Sequence, residues 1–275
     1  MSTTAAQISS SAVGQQIAAR LREETERLRA QWNASAPVRH FFLDDLLPHE
    51  QAIDIYRRRP HREELMHRRT LREHKWVGVA LERYDPSIGA HLLAFQEPEV
   101  VAAVAAITGI RALEADPTLY ASGISVMEKG DFLNPHLDNS HDGDQTKYRV
   151  LNLLFYISPE WKLANGGNLE LWTPALDVPH AIESRFNRLV VMATDDRSWH
   201  SVRNVVVDAP RVCLSNYYFS ALAPGDHEYR NVTSFRGRPE ERVKRTVLRA
   251  DSMLLNAIGR VFPFLLRRNP HRRKE

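Results

Sequence analysis

The sequence predicts a mainly β core, built as a barrel or a jelly roll, with helices flanking it. Between Leu119 and Ser220 the chain alternates short apolar segments with turns. The stretch Tyr148–Ile157 (YRVLNLLFYI) is largely apolar on both faces, as expected of a strand buried between two layers. Several short strands joined by turns favour an all-β barrel or jelly roll over βαβ units.

Composition restricts the class of protein. The 275 residues fit one domain with extensions or two small domains, and 43% hydrophobic and 26% charged residues are ordinary for a globular protein. The single cysteine, Cys213, excludes an intrachain disulfide framework and suits a reducing compartment. The N-terminus does not resemble a signal peptide, and no apolar run is long enough to span a bilayer. We therefore expect a cytoplasmic protein, and a net charge of +3 gives no reason to expect a nucleic-acid partner.

We predict three regions: a helical N-terminal extension at 1–36, a β domain with a helical buttress at 37–222, and a C-terminal helix with a basic tail at 223–275. Apolar residues from Val13 to Trp32 recur at helical spacing and predict one amphipathic helix. It serves either as a scaffold helix or as a dimer helix, and the sequence leaves the oligomeric state open.

The segment before the main strands carries shorter elements. A strand begins at His40, and Pro48 is placed to open a helix that ends near Arg58. The stretch Arg57–His74 is rich in Arg, Glu and His and is predicted to be a solvated surface. Ala90–Ile107 is apolar and alanine-rich and predicts helices, of which Pro98 opens the second.

Alternation defines the strands of the β region. In Tyr148–Ile157, the side chains of Tyr148, Asn152 and Tyr156 share one face, and Arg149 takes the other. A turn at Asn165-Gly166-Gly167 precedes the next strand. The other predicted strands are Tyr120–Met127, Asn168–Thr173, Arg188–Ala193, Val202–Val207 and Arg211–Ser220.

The C-terminal region changes to a polar and basic composition. Pro239–Val261 has helical apolar spacing, and an apolar cluster and the run RRNPHRRKE follow it. This end is either a docked helix with a solvated tail or a segment that touches an anionic membrane surface or a nucleic acid.

Four side chains predict a metal site with an anion clamp. His136 and Asp138 are two positions apart, so at a strand end they project into one space. They supply two thirds of a 2-His-1-carboxylate triad, the ligand set that suits non-haem Fe(II), and His200 supplies a third ligand from a later segment. Arg211 opens the last strand, and a buried arginine there needs an anion such as a carboxylate. Each residue alone has an ordinary structural explanation, and their order is what indicates the site.

From about Tyr120 to Ser220 the chain resembles the prolyl-hydroxylase-like branch of the Fe(II)- and 2-oxoglutarate-dependent dioxygenases, of the HIF prolyl hydroxylase type. The matching segments are GDFLNPHLDN, LFYISPEW with NGGNLELW, RFNRLVVMATDDRSWHSV and RVCLSNYYFS. The resemblance implies a double-stranded β-helix, which is a cupin-like jelly roll. It also implies Fe(2+), 2-oxoglutarate and O2, with ascorbate as an optional supporting reductant.

The resemblance also implies roles for single residues. His136, Asp138 and His200 match the iron ligands, and no further catalytic residue is expected. Arg211 matches the residue that pairs with the far carboxylate of 2-oxoglutarate, and Tyr156 matches a tyrosine that assists it. Weaker candidates for contact with the cosubstrate or substrate are Tyr148, Asn152 and Ser215; the first two are equally consistent with core packing. Cys213 stands where the family usually has a small polar residue.

The implied activity is hydroxylation of an aliphatic C–H bond, with release of succinate and CO2. The substrate is either a prolyl residue in a peptide or a small metabolite such as an amino acid, a sugar or a natural-product intermediate. We expect it to meet 127–133, the loop 139–147 and the preceding helices. The alternative is a non-catalytic cupin-like protein that binds a metal or ligand. Arg211 argues against this alternative, because a metal-binding module needs no anion clamp.

Overall fold

The structure, a computed structural model, describes residues 9–116, 118–225 and 228–261. Within them the chain forms six α-helices and thirteen β-strands. The helices are α1 (Ser10–Glu23), α2 (Thr25–Ala34), α3 (His49–Arg57), α4 (Pro86–Ala94), α5 (Pro98–Thr108) and α6 (Arg242–Val261). The strands are β1 (His40–Leu43), β2 (Met66–Arg69), β3 (Glu73–Gly78), β4 (Leu113–Glu114), β5 (Gly123–Met127), β6 (Phe132–Leu137), β7 (Tyr148–Tyr156), β8 (Leu169–Leu171), β9 (His180–Ile182), β10 (Arg188–Ala193), β11 (His200–Val202), β12 (Arg211–Ser220) and β13 (Ser234–Phe235).

The strands form one curled antiparallel sheet. Its order is β1-β10-β7-β12-β5-β3-β6-β11-β8-β9. Outside this order, β2 pairs with β3, β4 pairs with β12 and β13 pairs with β6. Neighbours such as β7 and β12, or β6 and β11, are far apart in the chain, so the sheet is a jelly roll and contains no βαβ unit. The mainly β core with flanking helices that the sequence predicts is confirmed.

The helices before the sheet cover its outer face. The predicted single helix 13–32 is two helices, because Glu24 leaves the helical conformation with φ −104° and ψ 7°. Ile17, Leu21 and Leu28 are fully buried and share the largest core cluster with residues of α4, α5, β7 and β12. Both N-terminal helices therefore pack on the main body. Gly109 ends α5 with φ +71°, as expected of a helix C-cap.

Two predictions about this fold are wrong. The stretch 57–74 is not simply a solvated surface, because β2 and β3 form a hairpin there that pairs with β5 and β6 and buries Glu73. Its strands carry charged side chains, so they lack the apolar alternation that identifies a strand. The predicted strand 202–207 is instead β11, which begins at His200, and the buried Val205 lies in a loop beside Trp161.

A bulge reverses part of the predicted face assignment of β7. Opposite β12, Leu151 pairs with Tyr218 and Arg149 pairs with Phe219, so Val150 is an extra residue. One extra residue shifts the alternation by one position and moves the preceding side chains to opposite faces. Arg149, predicted to point away from Asn152, lines the same cavity as Asn152.

No single helix in the described ranges is long and apolar enough to cross a membrane, although the bent pair α4 and α5 passes the same test of length and composition together. The predicted apolar cluster and basic run that follow α6 lie at 262–275, outside the described residues.

Candidate metal centre and its cavity

Two histidines face each other across the ladder between β6 and β11. His136 and His200 are direct cross-strand partners, and their ring centroids are 4.0 Å apart. The register shifts between this pair and the next, where Val202 faces Leu133, so β6 carries an extra residue. Both rings are about 5% exposed and line one cavity. Strand pairing thus joins two ligand-type side chains that are distant in the sequence.

Asp138 completes a compact group of three possible metal ligands. It follows β6 two positions after His136, and one ligand atom from each of the three side chains lies within 4.8 Å of the others. Asp138 Oδ1 is 3.6 Å from His136 Nε2, and Asp138 Oδ2 is 3.8 Å from His200 Nε2. Two imidazoles and one carboxylate around a common point suit Fe(II) and leave coordination positions open.

Hydrogen bonds orient both imidazoles. Nδ1 of His136 is 3.0 Å from the carbonyl oxygen of Asn134, and Nδ1 of His200 is 2.9 Å from that of Ser198. A proton on Nδ1 leaves the Nε2 lone pair free for a metal ion. Burial, helped by the neighbouring His200, lowers the pKa of His136 to about 3, so its imidazole is neutral and ready to bind metal.

The surroundings of Asp138 keep its carboxylate ionised. Burial raises the pKa of Asp138, but the Arg149 guanidinium and the two histidines lower it by more. Asp138 Oδ2 accepts a hydrogen bond from Asn152 Nδ2 at 2.8 Å and lies 3.4 Å from Arg149 Nη1. Asn152, a weak candidate for cosubstrate contact, is therefore placed to orient Asp138.

Arg211 lies in the same cavity and is 3% exposed. Its Nε donates to the carbonyl oxygen of Gly167 at 3.0 Å, which fixes the orientation of the guanidinium group. That carbonyl belongs to the predicted Gly-Gly turn, where both glycines have positive φ. A Cβ atom on Gly167 would stand 3.2 Å from the Arg211 side chain, so glycine leaves the room that this contact needs.

Residues 122–219, which contain the three ligand-type residues and Arg211, match the family model of the 2OG-Fe(II) oxygenase superfamily. The matched segment is about a third of the chain, and it identifies the protein as a 2-oxoglutarate-dependent oxygenase. The oxygenase thus uses Fe(II), 2-oxoglutarate and O2. No protein in the collection of curated sequences matches the chain.

Solved structures share the fold of this oxygenase. A prolyl 4-hydroxylase from Phytophthora capsici is 17% identical, with a TM-score of 0.55 over 92% of this chain and 86% of that one. A Trichoplax adhaerens prolyl hydroxylase in complex with a hypoxia-inducible-factor peptide is 16% identical, with a TM-score of 0.50 over 75% and 93%. The epimerase SnoN from nogalamycin biosynthesis is 12% identical, with a TM-score of 0.53 over 77% and 95%.

The other predicted contacts of the cosubstrate divide into two groups. Tyr156 is fully buried, and its ring is 4.7 Å from the guanidinium carbon of Arg211. Its hydroxyl makes no hydrogen bond of normal geometry among the described residues, and Tyr156 itself is not among the residues that line the cavity. Burial raises the pKa of Tyr156, so the hydroxyl keeps its proton and can donate to an anion. Cys213 and Ser215 both line the cavity. Tyr148 is not among the lining residues, because the bulge turns it towards the rings of His141 and Tyr229.

The residues of this site suit the metal and the cosubstrate that 2OG-Fe(II) oxygenases use. Three ligand atoms converge, and no other described residue makes a hydrogen bond to either Nε2. Arg211 lines the same cavity, with Tyr156 beside it. Buried polar groups without partners are costly, so a buried hydroxyl with no hydrogen bond of normal geometry beside a guanidinium group indicates a missing anion.

The C-terminal segment supplies cavity residues that sequence reasoning missed. Asn231 Nδ2 donates to the carbonyl oxygen of Asp138 at 2.7 Å, and the ring of Phe235 stacks on that of His136 at 5.2 Å. Ser252 of α6 accepts from the amide of Phe235 at 2.8 Å. These residues follow the matched family region, which ends at residue 219, and no motif in the sequence identifies them.

A buried ion pair fixes this segment to the sheet behind His200. Arg238 Nη2 is 2.6 Å from Glu170 Oε2, and both side chains are about 5% exposed. Ser201, the neighbour of His200 on β11, donates to the same carboxylate at 2.6 Å. The pair therefore joins β8, β11 and the chain that precedes α6.

The cavity is lined on its other side by the β2–β3 hairpin. Its lining includes Met127, Leu133 and residues of the loop 139–147, as expected for substrate contact. The expectation that the preceding helices contact the substrate is wrong, because the described lining contains no residue of α1 to α5. Hairpin residues from Arg68 to Val79 line the cavity instead. In that hairpin Glu73 pairs with Arg68 and Lys75 at 3.2 and 2.9 Å. Burial raises the pKa of Glu73, while Lys75 and Arg68 lower it by more, to about 2.

Proposed function

We propose that this oxygenase hydroxylates an aliphatic C–H bond of a small molecule held in the cavity. In this proposal His136, Asp138 and His200 bind Fe(II), and Arg211 pairs with the far carboxylate of 2-oxoglutarate. The observation that carries it is that a 2-His-1-carboxylate group and a buried arginine line one cavity.

Bound Fe(II) and 2-oxoglutarate supply the oxidation: O2 is consumed, the 2-oxo acid becomes succinate and CO2, and one oxygen atom enters the substrate C–H bond. The residues of the chain bind and orient. His136 and His200 present Nε2 to the metal because backbone carbonyls hold Nδ1. Asn152 keeps one Asp138 oxygen in place, and the Tyr156 hydroxyl supplies a second donor beside Arg211.

The shape of the cavity favours a small molecule over a polypeptide segment. Its volume is about 570 Å³, within the range of sites for compact organic ligands. Hairpin residues line one side, and Asn231, Phe235 and Leu255 of the C-terminal segment line another. A polypeptide segment has to continue out of the space between these residues at both ends, whereas a compact metabolite can lie wholly within it. Among the solved structures of the same fold, one is a complex with a peptide and another is an epimerase of natural-product biosynthesis.

The proposed function is tested by incubating the protein with Fe(II), ascorbate, 2-oxoglutarate and pooled substrates in air. One set of pools contains small metabolites, and a parallel set contains proline-containing peptides. We expect succinate release and a mass gain of one oxygen in a metabolite pool. Asp138→Asn serves as the control, because it keeps the size of the side chain but removes the charge that the metal requires.

Each other outcome contradicts part of the proposal. A mass gain in a peptide pool alone would replace the small-molecule assignment by a prolyl-type one. Tight metal binding without succinate release from any pool would favour the cupin-like binding protein. We also propose that the oxygenase works in a reducing compartment such as the cytoplasm, since its one cysteine is buried and free.

A further inference from the structure

Arg149 is a buried cation whose charge is only partly matched. It is 2% exposed, and neither Nε nor Nη2 has a hydrogen-bond partner among the described residues. Nη1 approaches Asp138 Oδ2 at 3.4 Å, which is long for a hydrogen bond. Burial raises the pKa of Asp116, and hydrogen bonds from Thr118 oppose this more than the charge of Arg149 does. Asp116 makes no hydrogen bond to Arg149 among the described residues. Leaving charged donors buried and unpaired is costly, so this arrangement indicates an absent anion.

The free edge of Arg149 has the geometry that a carboxylate needs. Nε and Nη2 form one side of the guanidinium plane, and this side can bind both oxygens of a carboxylate. Another arginine of the same protein does this: Arg188 donates from Nε and Nη2 to the two oxygens of Asp44, at 2.5 and 2.9 Å. The ring of Tyr217 lies 4.2 Å from the guanidinium carbon of Arg149 and holds the plane.

This edge is distinct from the site assigned to 2-oxoglutarate. Tyr217, against which Arg149 stacks, lies on β12 six residues beyond Arg211, which is about 20 Å along a strand. A five-carbon dicarboxylate that reaches Arg211 from the metal does not also reach Arg149. Arg149 instead contacts the metal-ligand group from the Asp138 side.

The charges around the cavity also favour an anion. Its lining holds five basic side chains, Arg68, Arg72, Lys75, Arg149 and Arg211, and two carboxylates, Glu73 and Asp138. The charges of Fe(II) and of the 2-oxoglutarate dianion cancel each other. Arg72 pairs with Asp251, and Arg68 and Lys75 share Glu73. The nearest carboxylate to Arg149 is that of Asp138, and a bound metal would also use the oxygens of this carboxylate.

We infer that the substrate is a carboxylic acid and that Arg149 binds its carboxylate. This inference rests on the proposed function, because it assigns the substrate class of the same site. A carboxylate on the Nε–Nη2 edge gives both free nitrogens a partner and supplies the negative charge that the cavity lacks. It also anchors the acid beside Asp138, so that another part of the same molecule lies near the metal.

The inference is tested by equilibrium binding under argon, with the protein saturated in Fe(II) and 2-oxoglutarate. The probes are the N-acetyl derivatives of the proteinogenic amino acids, each as the free acid and as the primary amide. We expect at least one acid to bind about tenfold or more tightly than its amide, as one charge-assisted bidentate contact allows. In Arg149→Gln the acid should bind no better than the amide, and Arg149→Lys should recover part of the difference.

Arg68→Gln is the matched control. Arg68 also lines the cavity and is paired with Glu73, so its loss lowers the general positive charge without touching the proposed carboxylate site. We expect this variant to keep the preference for acids. A loss of that preference in Arg68→Gln, with Arg149→Gln unchanged, would move the anion site to the hairpin and refute the role of Arg149.

The remaining outcomes separate this inference from the proposed function. A metal titration of each variant detects any effect that acts through Asp138; equal weakening of metal, acid and amide binding in Arg149→Gln would make Arg149 a positioning residue and overturn the inference. Wild-type protein that releases succinate but binds no acid better than its amide would also overturn it. A wild-type protein that fails to bind 2-oxoglutarate would instead refute the proposed function.

Discussion

Removing the guanidinium group of Arg211 should weaken 2-oxoglutarate binding strongly while sparing the metal. The side chain is 3% exposed, its Nε donates to Gly167, and its Nη1 is 3.9 Å from Met127 Sδ, so the protein fixes the guanidinium group before any ligand binds. In Arg211→Ala one carboxylate of the cosubstrate is left unpaired in a site shielded from water. Breaking such a buried charge pair costs roughly 2–5 kcal/mol, which is about thirtyfold to a few thousandfold in affinity.

The assay is the dissociation constant of 2-oxoglutarate for the Fe(II)-loaded protein under argon, together with the dissociation constant of the metal. We expect the first to rise within that range and the second to change little, because Arg211 makes no hydrogen bond or ion pair with the three ligand side chains in the described part of the structure. Arg211→Lys should fall between wild type and Ala, since an ammonium group keeps the charge but loses the planar fork. Arg203→Gln removes an exposed arginine and should have no effect. A rise of less than about tenfold in Arg211→Ala would mean that another group binds the carboxylate.

Three further predictions follow from the site and its surroundings. His136→Ala or His200→Ala should abolish succinate release without unfolding the protein; full activity at limiting iron in either variant would remove that residue from the metal. Because the pKa of Glu73 is lowered to about 2, its charge stabilises the fold above its ordinary pKa near 4.5, and this contribution is lost as the pH falls towards 2. Glu73→Gln should therefore lose about 3 kcal/mol of stability at neutral pH but almost none at pH about 2, as chemical denaturation at both values would measure; an equal loss at both would contradict the assignment. Gly166→Ala should destabilise the protein more than Gly109→Ala, although both have φ near +70°, because only at Gly166 would the new Cβ meet a backbone oxygen, at 1.9 Å. Equal melting temperatures for the two variants would show that the facing loop moves aside.

The sequence alone identified the fold class and the residues that converge on the candidate site. Local spacing was enough to place the His136 and Asp138 side chains in one space, because alternation along a strand is a property of the backbone itself. Arg211 stood out since an arginine within an apolar strand needs an anion. The helices α4 and α5 and their boundary at Pro98 followed from the fixed φ of proline and the free φ of the glycine that ends α5.

Tertiary structure decided which residues surround those groups. His200 meets His136 only because β11 pairs with β6 in one register, and strand pairing across the chain is not encoded in local spacing. The hairpin β2–β3 became a cavity wall although its composition is that of a surface, since its charged side chains pair with one another in the cavity. Asn231 and Phe235 reach the metal group through a segment that a buried ion pair fixes in place.

The bulge in β7 shows most directly where sequence reasoning stops. Alternation assigned Tyr148 to the face of Asn152 and Tyr156, and Arg149 to the opposite face, and the single extra residue at Val150 exchanged them. A bulge arises where the twist and pairing of two strands are accommodated together, so it depends on the partner strand as much as on the residues that form it. The sequence thus determined that a 2-His-1-carboxylate oxygenase site exists in this chain, and the pairing of distant strands determined that a second buried arginine faces it.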